Sequence, residues 1–282
     1  VAMVVAATPA LANPFDVPEI SALEGTAALA VVAALVLHFV PLILWSFSER
    51  WFFPGLWPQA WGLRAWTYIA STAGMQVMAA IGHSVVVAAV TAALAVAIGL
   101  PAGRALGLYT FKGKDLVSVI LTLPIIVPPL CVAMGLHLWF IRLGLAETYA
   151  GVIGVHLTFC LPYAIFVLWG VFSNYNPEFE AQARSLGASR LAVITRVMLP
   201  MILPGLSVAA LFAFLLSWSQ YLSTLIIGGG RVTTLPILLF ALMGSGDRPV
   251  AAAVSLVFVA PAFVALLFSA RYVGTRSLTG VH

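Results

Sequence analysis

Charge is what this sequence lacks. Only 8% of its 282 residues are Asp, Glu, Lys or Arg, against 62% hydrophobic ones. Soluble domains carry about 25% charged residues, so 22 charges, 13 basic and 9 acidic, cannot cover a water-facing surface of this size. The same scarcity excludes a disordered chain, which needs high charge and little hydrophobicity. Cysteine is scarce too: Cys131 and Cys160 both fall in apolar stretches, where cysteine usually behaves as a small hydrophobe, and neither is assigned a role. No motif for chemistry is present. His38, His83, His137, His156 and His282 show neither a His-x-x-x-His pair nor an acid at ligand spacing, so interhelical hydrogen bonding is the expected role of those inside the membrane. Gly113-Lys114-Asp115 lacks the leading glycine and the hydroxyl residue of a phosphate loop. The chain therefore cannot hydrolyse ATP by itself.

The 22 charges are unevenly placed. Six uncharged runs, 25–48, 65–103, 116–141, 148–177, 197–230 and 249–270, each exceed the roughly 20 residues that cross a hydrocarbon core as a helix. None alternates with period two, which excludes barrel strands. The expectation is an all-α polytopic membrane protein with six spans, at 26–47, 76–102, 116–140, 151–173, 199–228 and 249–272. None of these spans contains Asp, Glu or Lys, and only Arg271 enters one, at its end, so the usual residues of a proton-coupled carrier are missing. With the N-terminus inside, the inner loops hold Arg104, Lys112, Lys114, Arg184, Arg190, Arg196, Arg271 and Arg276, and the outer ones Arg50, Arg64, Arg142, Arg231 and Arg248. That excess of inner basic residues predicts N-in and C-in. Nucleic-acid binding is not expected without a soluble basic domain.

Residues 1–25 read as an N-terminal arm, 26–276 as the membrane domain with an internal loop at 174–198, and 277–282 as a tail. Ala10-Leu11-Ala12 has the small-x-small form of a signal-peptide cleavage site, but no basic region precedes it and Asp16, Glu19 and Glu24 follow. The first outer loop, 48–75, gathers Trp51, Phe52, Phe53, Trp57, Trp61, Trp66 and Tyr68. It reads as an interfacial platform of aromatic rings or as a docking surface, with Pro54 and Pro58 breaking it into turn and short helix. Between spans five and six, glycines frame an apolar segment at 234–243 too short to cross, which reads as a partly inserted gate or a helix lying on the bilayer. Pro41, Pro124, Pro128, Pro129, Pro162, Pro200, Pro204 and Pro261 kink the spans, a feature common in transporters but not confined to them.

The loop between spans four and five is the most punctuated. Asn176 can cap a helix, Pro177 suits its first position, Glu178 and Glu180 suit its first turn, and Gly187 is a left-handed terminator. Phe179, Ala183 and Leu186 fall on one stripe. So short a helix needs a surface to rest on, either headgroups or a groove in a soluble partner.

The segment from Glu180 to Pro200 resembles the cytoplasmic loop signature of binding-protein-dependent ABC importer permeases: Glu-Ala-Ala, three residues, Gly, nine residues, a branched aliphatic, one residue, Leu-Pro. Gly187, Val197, Leu199 and Pro200 match the spacing. The triplet positions are Ala181-Gln182-Ala183, so its acid is absent and Glu180 precedes it by one. Pro101-Ala102-Gly103-Arg104-Ala105, Leu123-Pro124 with Val127-Pro128, and Trp218-Ser219-Gln220-Tyr221 followed by 228–236 are similar to the same family, the last to its polyamine-type branch. The resemblance implies a six-helix permease subunit of an importer in the bacterial cytoplasmic membrane. It further implies a second permease subunit, cytoplasmic ATPases that bind ATP and Mg, an extracytoplasmic solute-binding protein, and no cofactor on this chain. The coupling residues it implies are Glu178, Phe179, Glu180, Ala181, Ala183, Arg184, Leu186, Gly187 and Ala188. Candidates for a substrate pathway are Trp218, Gln220, Tyr221 and Thr224 in span five and His83 and Ser84 in span two, with packing the alternative for each. The absence of intramembrane carboxylates conflicts with a polyamine and keeps other small organic solutes, thiamine-like cations and ferric or oxyanion ligands open. The rival reading is an ATP-independent carrier or channel.

Overall fold

A computed structural model describes residues 26–277 except 28, 31, 32, 35 and 53, and the side chains up to residue 265 apart from Ala73. The expected N-terminal arm with Ala10-Leu11-Ala12, part of the first expected span, and the tail from residue 278 lie outside the described residues.

Helix α1 (Phe39–Ser46) leads into a small antiparallel hairpin, β1 (Ser48–Arg50) with β2 (Ala60–Trp61), and then α2 (Arg64–Ala70). The long helices follow: α3 (Met75–Leu108), α4 (Lys114–Ile126), α5 (Pro129–Arg142) and α6 (Tyr149–Ser173). Beyond the short α7 (Glu178–Ser185), α8 (Arg190–Val193) runs through a π turn, Ile194–Met198, into α9 (Leu199–Trp218). Then come α10 (Leu222–Gly228), α11 (Leu235–Gly244) and α12 (Arg248–Ser277).

Among the described residues, α3, α6, the unit of α8 and α9, and α12 are each long and apolar enough to cross a membrane, and α4 with α5 makes a fifth crossing if counted together. Two expected spans need correction. Span three is not one helix: α4 and α5 are bent by 101° at Val127-Pro128, because Pro128 and Pro129 remove two consecutive helix N–H groups. Span five is divided as well, with α9 stopping at Trp218 and α10 starting at Leu222. The loop at 48–75 contains the two strands as well as the expected turn and short helix.

The core is α3 packed on α6, with α9 against both. A run of small residues explains the close approach. Gly99, Gly103 and Gly107 repeat every four residues along α3 and face Ala164, Leu168 and Phe172, which repeat every four along α6. A Cβ at Gly103 would lie 2.7 Å from Leu168 Cβ, and one at Gly107 2.5 Å from Phe172 Cβ. Such contacts let the backbones meet and gain dispersion where lipid offers no hydrophobic drive. Phe172 and Leu168 are fully buried, as are Ala88, Ala95 and Ala164. Helix α12 packs on α1, α2 and α11. Helix α3 starts beside α2 and carries Arg104, which meets α7, near its far end, so α2 and α7 lie at opposite ends of the bundle.

Candidate functional site: the α7 end and the break between α9 and α10

Helix α7 is closed at both ends by its own sequence. Asn176 Oδ1 accepts from the Glu178 N–H at 2.9 Å. At the other end Gly187 adopts φ +87°, its N–H donates to the Arg184 carbonyl and the Ala188 N–H to the Ala183 carbonyl, each at 3.0 Å. This pair is a Schellman cap, which glycine accommodates without strain.

The faces of α7 are the reverse of those of an ordinary surface helix. Its apolar stripe points away from the bundle, with Phe179 47% and Leu186 88% exposed and Ala183 half-buried, while the acid Glu180 is buried. Glu178, Ala181 and Arg184 are exposed and Ala188 is half-buried. Glu180 is held by a fork from α3: Arg104 Nη1 and Nη2 donate to its two carboxylate oxygens at 2.8 and 2.9 Å. The Tyr175 hydroxyl donates to Glu180 Oε1 at 2.9 Å. Arg104 also meets Met198 Sδ at 2.7 Å and lies over the Phe172 ring at 5.8 Å. Hydrogen bonding from Arg104, opposed by desolvation and helped by Tyr175, lowers the Glu180 pKa. Burial, with the Glu180 contact behind it, pushes the Tyr175 phenol up to about 12. Removing Arg104 would leave the Glu180 carboxylate buried without its partner, the costly way to break such a pair, whereas Arg104 without Glu180 keeps partial exposure.

The substrate-pathway candidates meet around the break between α9 and α10, and most are engaged in holding it. His156 of α6 sits between the two pieces, 2.8 Å from Ser217 Oγ before the break and 2.8 Å from Thr224 Oγ1 after it. Thr224 donates to the Gln220 carbonyl at 2.9 Å, so one assignment satisfies every group: Nε2–H donates to Thr224, and the Ser217 hydroxyl donates to Nδ1. Gln220 is half-buried and accepts from the Ser223 hydroxyl at 2.5 Å. Trp218 is buried, stacked between Phe214 and Phe258, with its indole N–H donated to the Phe258 carbonyl at 2.9 Å. Tyr221 is half-buried and stacks on Phe240 of α11 at 4.1 Å. His83 and Ser84 of α3 hold the start of α11. His83 Nδ1 lies 3.1 Å from the Thr233 carbonyl, and the Leu235 N–H donates to Ser84 Oγ at 2.7 Å. Within this conformation Ser84, Trp218 and Thr224 are enclosed by protein, while His83, Gln220 and Tyr221 keep partial exposure. His156 makes the interhelical hydrogen bonds expected of an intramembrane histidine, although the sequence did not place it with the pathway candidates. The partner of Glu180 had no signal in the sequence, since 76 residues separate Arg104 from it.

At the end opposite α7, Arg64 of α2 grips Asp247 in a two-pronged pair at 2.7 and 3.0 Å. That pair lines an open cleft of about 720 Å³ with Trp45, Glu49, Trp51, Phe52 and Arg248. Trp45 and Trp51 stack at 4.5 Å, and Arg248 lies 5.4 Å over Trp45. Hydrogen bonding to Arg64 lowers the Asp247 pKa and raises that of Arg64.

Comparison with known proteins adds lineage to this geometry. The chain is 24% identical over 247 residues to the spermidine/putrescine transport system permease protein PotC of Escherichia coli K12, covering 88% of this chain and 92% of that protein. It is 29% identical to PotC of Haemophilus influenzae, over 59% of this chain and 65% of the relative. The putrescine transport system permease protein PotI of E. coli K12 is 30% identical over 61% of this chain and 64% of its own length. In fold, the chain is similar to a subunit of a bacterial ABC transporter involved in the import of the acidic polysaccharide alginate, with TM-score 0.68 and 16% identity over 94% of this chain and 99% of that one. A second structure, of a bacterial alginate ABC transporter in complex with an alginate pentasaccharide-bound periplasmic protein, gives TM-score 0.63 at 16% identity over 94% and 98%. Residues 95–277, well over half of the chain, match the binding-protein-dependent transport system inner membrane component family, and the chain belongs to it.

Proposed function

We propose that this chain is a permease subunit of an ATP-driven importer for a polyamine-like solute, and that α7 is its coupling helix. The observation that carries the proposal is the inverted amphipathicity of α7: a rigidly capped helix whose one large apolar side chain, Phe179, and that of Leu186 in its C-terminal cap are exposed. Leu191 and Ile194 beside it are 71% and 46% exposed. Apolar groups on a charged loop beyond the membrane are suited to a groove in a soluble partner, here an ATPase that holds the ATP and Mg. The basic residues of that loop support a cytoplasmic α7 end, hence N-in and C-in. The opposite end, with the aromatic cleft at Trp45 and Trp51, then faces the solute-binding protein.

A second permease subunit, identical or related, would pack over α4 and α5. Helix α4 contains no buried residue, and Val127, Pro128 and Pro129 at the bend are all exposed. The bend lies about 20 Å of helix from Lys114, within the roughly 30 Å hydrocarbon thickness. Broken backbone at that depth needs protein or a water-filled cavity beside it. The pathway between the subunits would present the partly exposed His83, Gln220 and Tyr221, with α11 as a gate at its outer end. Support for a polyamine comes from the named relatives; Trp and Tyr faces can meet an ammonium group, and carboxylates would have to come from the partner subunit.

Gly187→Trp tests the coupling role. A Cβ at Gly187 meets no atom within 4 Å, so the indole would occupy space that only a docked partner fills, apart from the backbone cost of a positive φ. With the permease, its partner subunits and the binding protein expressed together, the expected result is normal membrane insertion, loss of ATPase co-purification and loss of putrescine uptake. Normal uptake without any associated ATPase would favour the carrier reading instead.

A further inference from the structure

A helix of eight residues attached only through its chain ends would rock under load rather than pass the load on. Helix α7 has no large apolar side chain turned toward the bundle to prevent this. What it has is Glu180, gripped by both Nη atoms of Arg104 and by the Tyr175 hydroxyl. We propose that Arg104, Tyr175 and Glu180 form a strut that fixes α7 to the paired helices α3 and α6, so that a displacement of α7 becomes a displacement of that pair. Glu180 is then a positioning residue turned into the permease, and the contact to the ATPase is made without it. The coupling role rests on the importer reading; the strut itself does not.

Three features make the arrangement mechanically suitable. Arg104 lies between Gly103 and Gly107, the two positions where α3 approaches α6 too closely for a Cβ, so the backbone behind the guanidinium has little room to yield. The carboxylate and guanidinium meet through two parallel hydrogen bonds, a fork geometry that fixes orientation as well as distance. The same guanidinium touches Met198 in the π turn ahead of α9 and overlies Phe172 of α6. Three core helices therefore converge on one cation, and α7 is connected to that point. The acid missing from the Ala181-Gln182-Ala183 triplet is consistent with this division of roles, since the carboxylate one position earlier is turned into the bundle while Phe179 beside it is exposed.

Two measurements test the strut. In purified permease alone, with Cys131 and Cys160 replaced by alanine so that no native thiol takes the label, a spin label at Leu186→Cys reports α7 motion. Glu180→Gln or Arg104→Gln should increase its mobility, and Tyr175→Phe, which removes a hydroxyl and no charge, should do so less and serves if the charge variants fail to insert. In proteoliposomes with the whole transporter, each charge-neutralised variant should lower putrescine transported per ATP hydrolysed by about five- to tenfold, within the usual size of coupling between sites. Exchanging the charges, Arg104→Glu with Glu180→Arg, should recover at least half of that loss, which simple damage to folding would not. Unchanged label mobility in Glu180→Gln, or an exchange variant no better than the single ones, overturns the proposal. If the label responds as expected but the wild-type complex shows no ATP-driven uptake, the importer reading fails and the coupling role with it, while the strut stands.

Discussion

The packing of α3 on α6 predicts a graded response to adding a single methyl group along one helix. At Gly82 an added Cβ has no atom within 4 Å; at Gly99 it meets Ala164 Cβ and Leu168 Cδ1 at 3.4 Å; at Gly103 it meets Leu168 Cβ at 2.7 Å and backbone atoms of Leu168 and Trp169 at 3.0 Å. Carbon atoms prefer about 3.5–4.0 Å, so Gly103→Ala must part the two helices by roughly 1 Å, and neither a Cβ nor the backbone can swing away. Overpacking of this kind costs about 1–3 kcal/mol. At about 2–4 °C per kcal/mol for a large domain, the thermal midpoint in detergent should fall by about 2–12 °C. Gly82→Ala should instead be neutral or stabilising by up to about 1 kcal/mol, because alanine is the better helix former, and Gly99→Ala should fall between. Fluorescence-detected thermal unfolding of the three variants gives the order directly. Equal shifts for Gly82→Ala and Gly103→Ala would refute the claim that the glycine stripe sets the distance between α3 and α6.

Two other outcomes follow from buried polar groups. His156→Leu should cost about 1–3 kcal/mol by leaving the Ser217 and Thr224 hydroxyls without their shared partner, and should loosen the junction of α9 with α10, read as faster hydrogen exchange over 217–224. Because the Glu180 and Asp247 pKa values are lowered in the fold, both pairs stabilise it above the ordinary carboxylate range near about 4. That contribution is lost as pH falls through the depressed values. A label at Leu186→Cys should therefore keep its mobility from pH 7 to pH 5 and gain it only in stronger acid; Glu180→Gln should abolish the acid-dependent step.

How far the sequence could be read depended on where each signal resides. Gaps between charges located the apolar helices, since excluding charge from hydrocarbon is a property of composition. The ends of α7 were legible because Asn176 and Gly187 act on backbone groups within a few residues. The break after Trp218 was not, since Ser219-Gln220-Tyr221 contains neither glycine nor proline, and the junction is held by His156 from another helix. Kinking at the prolines was expected, but not a 101° turn at Val127-Pro128. Glu180 was read as an acid suited to the first turn of α7; its inward direction depends on Arg104, which only the tertiary fold brings near. The repeat of Gly99, Gly103 and Gly107 was present in the sequence as a small-residue stripe, and its meaning emerged once α6 lay against it.

Uptake by the reconstituted transporter is the most direct test of the importer role. Vesicles containing this chain, its partner permease and the ATPases, with the solute-binding protein outside and ATP within, should accumulate putrescine or spermidine against a gradient. Uptake should stop when ATP is replaced by a non-hydrolysable analogue or the binding protein is omitted. Accumulation that persists without ATP hydrolysis and without the binding protein would contradict it.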